Sequence, residues 1–562
     1  MDSLRPFLSA CGGVLLTITV VRLLAFVSKG WRYRSLMKKL EKMGKPMPEH
    51  SSLLGHLLAA KTATEELPPA AHSSYILDRI ARKMEGNMNG PPAYYFDSFP
   101  VSTPLLVVRD PFIANQVTNH PQVSAEKPTT LKDWFEPISG RGGMNLFTQN
   151  GQEWKHDHNL FLPFFNNSNL DATMPDVVEQ MLIFRNILRK RVQSGELFRM
   201  ESLTQPLMND IIGRVIFNAD LGNQTSGSHP LSDTMLRQLK LKFAANNVLD
   251  NIGQFNPLRV FSIWNNSRLL NQHIRNQILK RVDAFRDVKA RHEQLPFNSI
   301  LDQALESYYS EPDRKQSDLL DQGFLDLLCA QLRMFFFAGY DSTAATMSTC
   351  CYLLSKHPEA IAKLRAEHDR VFGRNVAACP GMITENPSIL NSLPYTQAVI
   401  KETLRLFPPA SAIRMGSKDL VLKGRDGTEY PTEGVSVQTS HFSVHRNPEC
   451  WPRPLEFLPE RFLVAPDHEL YPAKGAWRIF EYGVRNCTGQ AFVMKEVKAF
   501  LAILCREFDF RNCYDEVYAD EEIDLTNVDY ERAYLVEHGA AHPRGEFPCR
   551  VLLSGYVPGD VQ

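Results

Sequence analysis

The sequence lacks the features that mark several special classes of protein. Its ten cysteines form no Cys-x-x-Cys pair and no repeated spacing, which argues against a disulfide framework or a zinc site and fits a reducing compartment. There is no internal repeat and no low-complexity tract. The 62 basic and 63 acidic residues nearly cancel, so no overall field favours nucleic acid as a partner.

Apolar residues, in contrast, are plentiful. Hydrophobic residues make up 43% of the 562-residue chain and charged residues 22%, which is ample for a sizeable core. This length allows several domains or one large domain. The sequence therefore predicts a globular protein, and any function must be sought in local motifs.

The amino terminus has the pattern of a membrane anchor. Phe7 to Val27 is predominantly apolar, interrupted by Arg22 alone, and is about long enough to span a hydrocarbon core. A basic flank follows, comprising Lys29, Arg32, Arg34, Lys38, Lys39, Lys42 and Lys45. Positive charge on this side predicts that the remainder stays cytosolic. The alternative is a cleaved signal peptide, which usually has a basic start, a shorter apolar run and a small-x-small cleavage site.

Three regions are therefore expected along the chain. Residues 1–28 would be the anchor, and residues 29–50 a basic linker in which Pro46 and Pro48 stiffen the connection. Residues 51–562 would form the globular domain. Within it, Leu105 to Val108 reads as a strand that leads into a helix at Pro111. Tyr530 to Leu552 alternates as expected for a late β-hairpin.

A loop near the carboxyl end, Phe480-Glu-Tyr-Gly-Val-Arg-Asn-Cys-Thr-Gly489, has a composition suited to presenting the sulfur of Cys487. Gly483 and Gly489 permit turns and close approach of a flat ligand. Arg485 places a positive charge two residues before the sulfur. Gln490 to Leu501 reads as a helix, whose N-terminus favours a thiolate.

A second candidate site lies in the segment Asp318 to Lys356, which reads as one long buried helix or two in succession. Within Phe335-Phe-Phe-Ala-Gly-Tyr-Asp-Ser-Thr343, the carboxyl of Asp341 is costly to bury unless it has a partner or a purpose. Ser342 and Thr343 follow it directly. Gly339 removes a side chain, so a ligand could approach the helix backbone.

Charged side chains at helical spacing mark two further places. Glu402 and Arg405 lie three apart on the predicted helix Pro394 to Arg405 and can pair. Farther along, Phe457-Leu-Pro-Glu-Arg-Phe462 contributes Arg461. Trp154 and His158 are one turn apart on another helix, so both side chains can face one ligand.

The pattern Phe-x-x-Gly-x-Arg-x-Cys-x-Gly resembles the haem-binding loop of the cytochrome P450 family. The resemblance implies a mainly α fold with a smaller β region, preceded here by a single transmembrane helix. It also implies a haem b whose iron is bound by the Cys487 thiolate, which favours O–O cleavage. Phe480, Gly483, Arg485 and Gly489 would complete the loop.

The other motifs resemble the remaining family signatures. Asp341 and Ser342, with Thr343 adjacent, match the acid–alcohol motif that delivers protons to iron-bound dioxygen, although the family usually has threonine where Ser342 stands. Glu402, Arg405 and Arg461 match the charged network that braces the cysteine loop. The resemblance implies that the haem propionates are held by Trp154, His158, Arg414 and Arg485. His158 stands where the family commonly has arginine.

The implied function is a haem-thiolate monooxygenase that activates O2 with NADPH-derived electrons and oxidises a small hydrophobic substrate. Its partners would be a membrane-bound NADPH–cytochrome P450 reductase and the endoplasmic reticulum membrane, with the catalytic domain cytosolic. The detailed sequence looks like that of fungal enzymes of secondary metabolism, including polyketide or mycotoxin pathways. Two alternatives remain: a P450-type isomerase or dehydratase that needs no O2, and a haem-binding protein without turnover.

Overall fold

The computed structural model describes residues 4–86, 89–120, 126–243, 256–290, 299–311 and 319–556. Of the predicted segments, residues 1–3, 121–125, 244–255 and 318 lie outside these ranges. For residues 4–16 the structure describes the backbone helix and not the side chains. The described part is mainly helical. Its β structure is confined to short strands.

The described α-helices are α1 (Leu4–Lys42), α2 (Leu57–Glu65), α3 (Ser73–Glu85), α4 (Pro111–Asn119), α5 (Thr130–Ser139), α6 (Gly151–Phe161), α7 (Asn167–Ser194), α8 (Glu201–Phe217), α9 (Asn223–Ser226) and α10 (Pro230–Phe243). They continue with α11 (Pro257–Ala290), α12 (Ile300–Tyr309), α13 (Gln322–Lys356), α14 (Pro358–Phe372), α15 (Cys379–Glu385), α16 (Pro394–Leu406), α17 (His441–Val444), α18 (Gln490–Leu504) and α19 (Tyr514–Val517).

The described strands are β1 (Ala93–Phe96), β2 (Leu105–Val108), β3 (Phe198–Arg199), β4 (Ala412–Met415), β5 (Val421–Lys423), β6 (Glu429–Pro431), β7 (Ser436–Thr439), β8 (Phe508–Asn512), β9 (Leu535–Glu537), β10 (Ala541–Pro543) and β11 (Pro548–Leu553). The largest sheet has the order β1-β2-β7-β4, with β2 and β7 parallel. A second sheet has the order β3-β11-β8, and β5-β6 and β9-β10 form two-stranded pairs.

Helix α13 forms the centre of the large core. It is one unbroken helix of 35 residues, and it packs against α8, α16 and α18. Most of its side chains are buried, as expected for a helix that is apolar on nearly all faces. Two helices in succession were the alternative from the sequence, and the structure has one.

Two local predictions agree with the structure. Strand β2 ends at Val108, and α4 begins at Pro111, where the side chain of Asp110 accepts hydrogen bonds from the Phe112 and Ile113 amides. This is a regular N-cap with proline in the first turn. The expected late hairpin is present as β9 and β10, joined through His538-Gly539-Ala540.

The amino-terminal helix runs past the predicted end of the anchor at residue 28 and continues to Lys42. Its last turns contact the globular part, because Met37 and Leu40 pack in the core of the largest sheet and Arg34 forms an ion pair with Asp97. The chain then turns at Gly44, which has a φ of 68°. Within the described ranges, we find no helix whose length and apolarity together suffice to cross a membrane.

Candidate functional site

The cysteine loop is held in shape by backbone contacts. The Cys487 amide donates to the Phe480 carbonyl at 2.8 Å, which closes the loop. Gly483 has a φ of 76°, and a Cβ there would lie 2.7 Å from the Thr118 carbonyl oxygen. Glycine is therefore required at Gly483 on two grounds. Gly489 has a φ of −78°, which is accessible to any residue, so its backbone conformation does not require glycine. Close approach of a flat ligand at Gly489 stays a prediction.

Cys487 is the one exposed cysteine among the nine that the structure describes; the other eight are buried. Protein atoms nevertheless surround it densely enough that burial raises the pKa of its thiol. The Gly489 and Gln490 amides, at the start of α18, donate toward the sulfur and oppose the effect of burial on the pKa.

A stripe of exposed surface interrupts the buried helix α13. Ala338 is exposed and Gly339 and Ser342 are partly exposed, whereas their neighbours Tyr340 and Thr343 are buried. The spacing of three and four residues places the stripe on one face of the helix. Helix α13 packs against α18, and α18 begins three residues after Cys487.

Gly339 serves helix packing as well. A Cβ on Gly339 would lie 2.6 Å from the Cδ1 atom of Ile212 on α8. The missing side chain therefore lets α8 and α13 approach closely. The sequence had suggested close approach of a ligand at this position, and the structure adds this helix contact.

The three residues of the acid–alcohol segment have different environments. The Ser342 hydroxyl lies on the exposed stripe and donates to the Ala338 carbonyl at 2.9 Å. Thr343 is fully buried, and its hydroxyl has no hydrogen-bond partner among the described residues. Asp341 is 3% exposed, and its Oδ2 accepts from the Ala540 amide at 2.7 Å. The carboxylate is thus anchored beside the stripe.

Arg485, Trp154 and His158 form a stack. The Arg485 guanidinium lies 4.0 Å from the centroid of the Trp154 ring, and the Trp154 and His158 ring centroids are 4.8 Å apart. Nη1 of Arg485 also donates to the Leu146 carbonyl at 3.0 Å. Burial and the nearby Arg485 lower the pKa of His158, so the imidazole is neutral at pH 7.

Arg414, on β4, extends this group into a buried cluster of positive charge. Burial and the nearby Arg414 lower the pKa of Arg485 to about 9. Lys127 is also buried, with 5% exposure. Burial, together with the charges of Arg414 and Arg485, holds the pKa of its amine well below the usual range. Two acids lie near this cluster: Glu481, which already pairs with Arg478 and His441, and Glu126, which acts on Arg485. The cluster suits a bound anion.

Sequence reasoning missed Lys127. It lies in Glu126-Lys127-Pro128, outside every motif, and a lone lysine there reads as a surface residue. Only the folded chain brings its amine over the Phe147 ring, 4.7 Å from the centroid, beside two arginines from distant segments.

The structure brings Glu402, Arg405 and Arg461 into one buried network, and all three are 0% exposed. Arg405 donates to both carboxylate oxygens of Glu402 at 2.8 Å, and Arg461 Nε donates to Oε1 at 3.0 Å. The same oxygen accepts from the Leu458 amide at 2.9 Å. The two guanidinium groups also donate hydrogen bonds to the backbone carbonyls of His445, Pro452, Arg453, Pro454 and Glu456.

This network connects α16 to the irregular segment that leads into the cysteine loop. Both guanidinium groups also lie near the ring of Trp451, at 5.1 Å for Arg405 and 5.7 Å for Arg461. A buried carboxylate that receives bonds from two arginines and an amide is fully satisfied. The arrangement can therefore fix the path of the chain before residue 480.

The comparisons with known proteins agree with the fold and the site. The family model described as Cytochrome P450 matches residues 92–527, and the chain belongs to the cytochrome P450 family. The members of this family are haem-thiolate proteins, which bind haem through a cysteine.

Two fungal relatives and one solved structure illustrate the match. Cytochrome P450 monooxygenase polC of Polytolypa hystricis is 34% identical over 98% of this chain and 98% of its own length. Cytochrome P450 monooxygenase acrF of Aspergillus aculeatus is 31% identical over 81% of this chain and 93% of its own length. The crystal structure of the cytochrome P450DA heme domain has a TM-score of 0.68 at 18% identity, covering 91% of this chain and 97% of that one.

The residues of this chain fit a haem. The exposed Cys487 offers a sulfur to a metal. The buried side chains of Lys127 and Arg414, with the partly buried Arg485, match the two carboxylates that haem carries. The donor set thus provides one soft ligand and a separate anion site.

Proposed function

We propose that this haem-thiolate monooxygenase oxidises a small hydrophobic organic molecule of fungal secondary metabolism, with polyketides as the first class to examine. The class of enzyme follows from its family. The observation that carries the assignment of the site is that Cys487 is the one exposed cysteine among those described, within a loop that matches the family pattern. The named fungal relatives support the metabolic setting.

The proposed cofactor site divides the work among the residues described above. Cys487 would bind the iron, within the loop formed by Phe480, Gly483 and Gly489. The propionates would be held by Arg414, Arg485, Trp154, His158 and, in addition, Lys127. When bound, the haem supplies the reductive activation of dioxygen. Electrons come from a reductase partner, for which we propose the NADPH–cytochrome P450 reductase.

Proton delivery is proposed for Ser342 and Asp341. The Ser342 hydroxyl lies on the exposed stripe of α13, where it could pass on a proton. Asp341 is the adjacent acid, buried one residue earlier on the same helix. Thr343 would contribute by packing, because it is fully buried. Retention of an acid and an alcohol disfavours an isomerase that needs no O2, and equally a haem carrier without turnover.

Replacing Asp341 by asparagine tests this role. Asparagine keeps the size of the side chain but cannot give up a proton, so reductase-dependent oxygen consumption should fall by roughly 100-fold, in the range of general acid catalysis. The measurement is oxygen uptake with NADPH and reductase, with the spectrum of the reduced, carbon monoxide-bound form as the control for haem binding. Unchanged oxygen uptake would contradict proton delivery by Asp341.

We further propose that residues 1–28 anchor the chain in the endoplasmic reticulum membrane, with the haem domain of residues 51–562 in the cytosol. The described part of α1 exposes several large apolar side chains, namely Val20, Val21, Leu23, Leu24, Phe26 and Val27. Helix α11 adds a second exposed apolar group, Leu258, Val260, Phe261 and Trp264. Apolar groups of this kind, beside a basic flank, favour contact with a membrane.

Deletion of residues 1–28 tests the anchor. This end point keeps Arg34, Met37 and Leu40, which pack on the globular part. We expect the full chain to remain in the membrane pellet after an alkaline wash and the shortened chain to be released in larger part. Retention of the haem spectrum controls for folding. Recovery of the full chain in the supernatant would contradict the proposal.

A further inference from the structure

Three buried titratable side chains from distant parts of the chain meet beside the acid–alcohol segment. His542 on β10 lies between Glu201, at the start of α8, and Asp341 on α13. Its Nδ1 is 3.0 Å from Glu201 Oε2, and its Nε2 is 3.3 Å from Asp341 Oδ1. His542 and Glu201 are each 1% exposed and Asp341 is 3% exposed. One imidazole thus joins two carboxylates away from solvent.

The hairpin between β9 and β10 holds the Asp341 carboxylate from a second side. The Ala540 amide donates to Oδ2 at 2.7 Å, while His542 contacts Oδ1. Gly539 has a φ of 126°, and a Cβ there would lie 2.9 Å from Oδ2. The hairpin backbone therefore lies directly against the carboxylate. Oδ2 accepts a hydrogen bond, and Oδ1 forms an ion pair with His542, whose Nε2 makes no hydrogen bond among the described residues.

Charge explains why this group is stable when buried. The carboxylates of Glu201 and Asp341 raise the pKa of His542 well above its usual range, despite the opposing effect of burial. The imidazole therefore carries a proton at neutral pH. Burial raises the pKa of Glu201. The other titratable or charged groups that act on these three, or are acted on by them, are His72, Tyr340, Tyr514, His538 and Glu546.

We propose that His542 is a positioning residue for the oxidation: together with Glu201 it fixes the Asp341 carboxylate against the β9–β10 hairpin and stores the proton that replaces the one Asp341 gives up. The inference rests on the proposed proton-delivery role of Asp341. Neither His542 nor Glu201 belongs to a motif in the sequence, and their role follows from this contact alone.

The proton moves from His542 through Asp341 toward Ser342. The His542 imidazolium transfers its Nε2 proton to the Asp341 carboxylate, and Asp341 then passes a proton toward Ser342. In the first transfer the N–H bond at Nε2 breaks and an O–H bond forms at Asp341 Oδ1, which requires the 3.3 Å ion pair to close to hydrogen-bonding geometry. The neutral imidazole keeps its proton on Nδ1, where it donates to Glu201 Oε2. The proton that restores the imidazolium comes from bulk solvent, so reprotonation requires a transient path to this buried group.

The protonation state of His542 can be measured without any turnover. In holoprotein labelled with ¹⁵N-histidine and held in the reduced, carbon monoxide-bound form, the His542 signals are assigned by their loss in H542Q. We expect an imidazolium at pH 7.5. In E201Q the amide oxygen can still accept from Nδ1, but one of the two anions is gone, so the titration midpoint should move to lower pH. A neutral His542 at pH 7.5 in the wild type overturns the proposal.

The second measurement is the pH profile of reductase-dependent oxygen uptake. H542Q should lower the rate by about tenfold, less than D341N because it acts through another residue. Since deprotonation of His542 ends the proton supply, E201Q should shift the alkaline limb to lower pH. A profile of E201Q identical to that of the wild type overturns the proposal.

A buried histidine elsewhere provides the matched control. His368 on α14 is fully buried and contacts the Thr396 hydroxyl at 2.9 Å, and burial lowers its pKa to about 3. H368Q therefore removes a neutral buried imidazole, and it should leave the pH profile unmoved. The outcomes distinguish failure of the role proposed for Asp341 from failure of the role proposed for His542. Full turnover in D341N refutes the proton-delivery role of Asp341, whereas slow D341N with an unshifted E201Q refutes the role of His542 alone.

Discussion

Replacing Cys487 by serine is expected to abolish the thiolate-type Soret band of the reduced, carbon monoxide-bound protein, together with oxygen-dependent turnover. A hydroxyl at this position cannot supply the electron-rich sulfur that marks the family. No other described cysteine can take its place, since the other eight are buried. The measurement is the absorption difference spectrum of the purified variant. A retained thiolate-type band would show that Cys487 is not the iron ligand.

Two variants separate loss of the ligand from general damage. Cys513→Ser changes a buried cysteine whose sulfur contacts the Arg511 carbonyl and the Arg550 guanidinium, and it should keep the band. Arg485→Leu leaves the sulfur in place but removes one cation of the proposed propionate site. It should therefore keep the position of the band while losing haem faster on dilution. If Arg485→Leu lost the band as Cys487→Ser does, the division between ligand and propionate site would be wrong.

Glu402→Gln is expected to destabilise the holoprotein by about 3–5 kcal/mol, the cost of breaking a buried ion pair and leaving its partner uncompensated. Two guanidinium groups, of Arg405 and Arg461, would be left facing a neutral amide at 0% exposure. The segment before the cysteine loop would lose its brace, so the Soret band should disappear at lower denaturant concentration. Urea unfolding followed by circular dichroism and Soret absorbance measures both effects.

A surface pair on the same segment provides the control. Glu456 pairs with Arg453 three residues away, and both side chains are more than half exposed. Pairs of this kind contribute little because solvent screens them. Glu456→Gln should leave the unfolding curve nearly unchanged. Comparable stability of the Glu402→Gln and Glu456→Gln variants would contradict a structural role for the buried network.

The helical class and most local elements could be predicted from the sequence, because their causes lie close together along the chain. Proline at Pro111 and the cap at Asp110 fix the start of α4. The apolar surroundings of Asp341 predicted a buried helix, and α13 is that helix. The spacing of Glu402 and Arg405 predicted their pairing on one turn of α16. Each of these depends on contacts within a few residues.

Other features were decided by long-range packing, and no local pattern signals them. The end of α1 was predicted as a linker, yet Met37 and Leu40 find a partner surface on the sheet and the helix continues. Lys127 becomes part of a buried cationic cluster only when the segments carrying Arg414 and Arg485 fold against it. Both arrangements depend on burial of side chains, and distant parts of the chain decide which side chains are buried.

The sequence by itself determined the family, the cysteine loop and the acid on the central helix, since each is a pattern of residue types over a few turns of the chain. The tertiary structure alone decided what holds that acid. Ala540 lies 199 residues from Asp341 along the chain, and Glu201 lies 341 residues from His542. These contacts depend on the path of the whole chain, because the hairpin must return across α13 before an imidazole can join the two carboxylates.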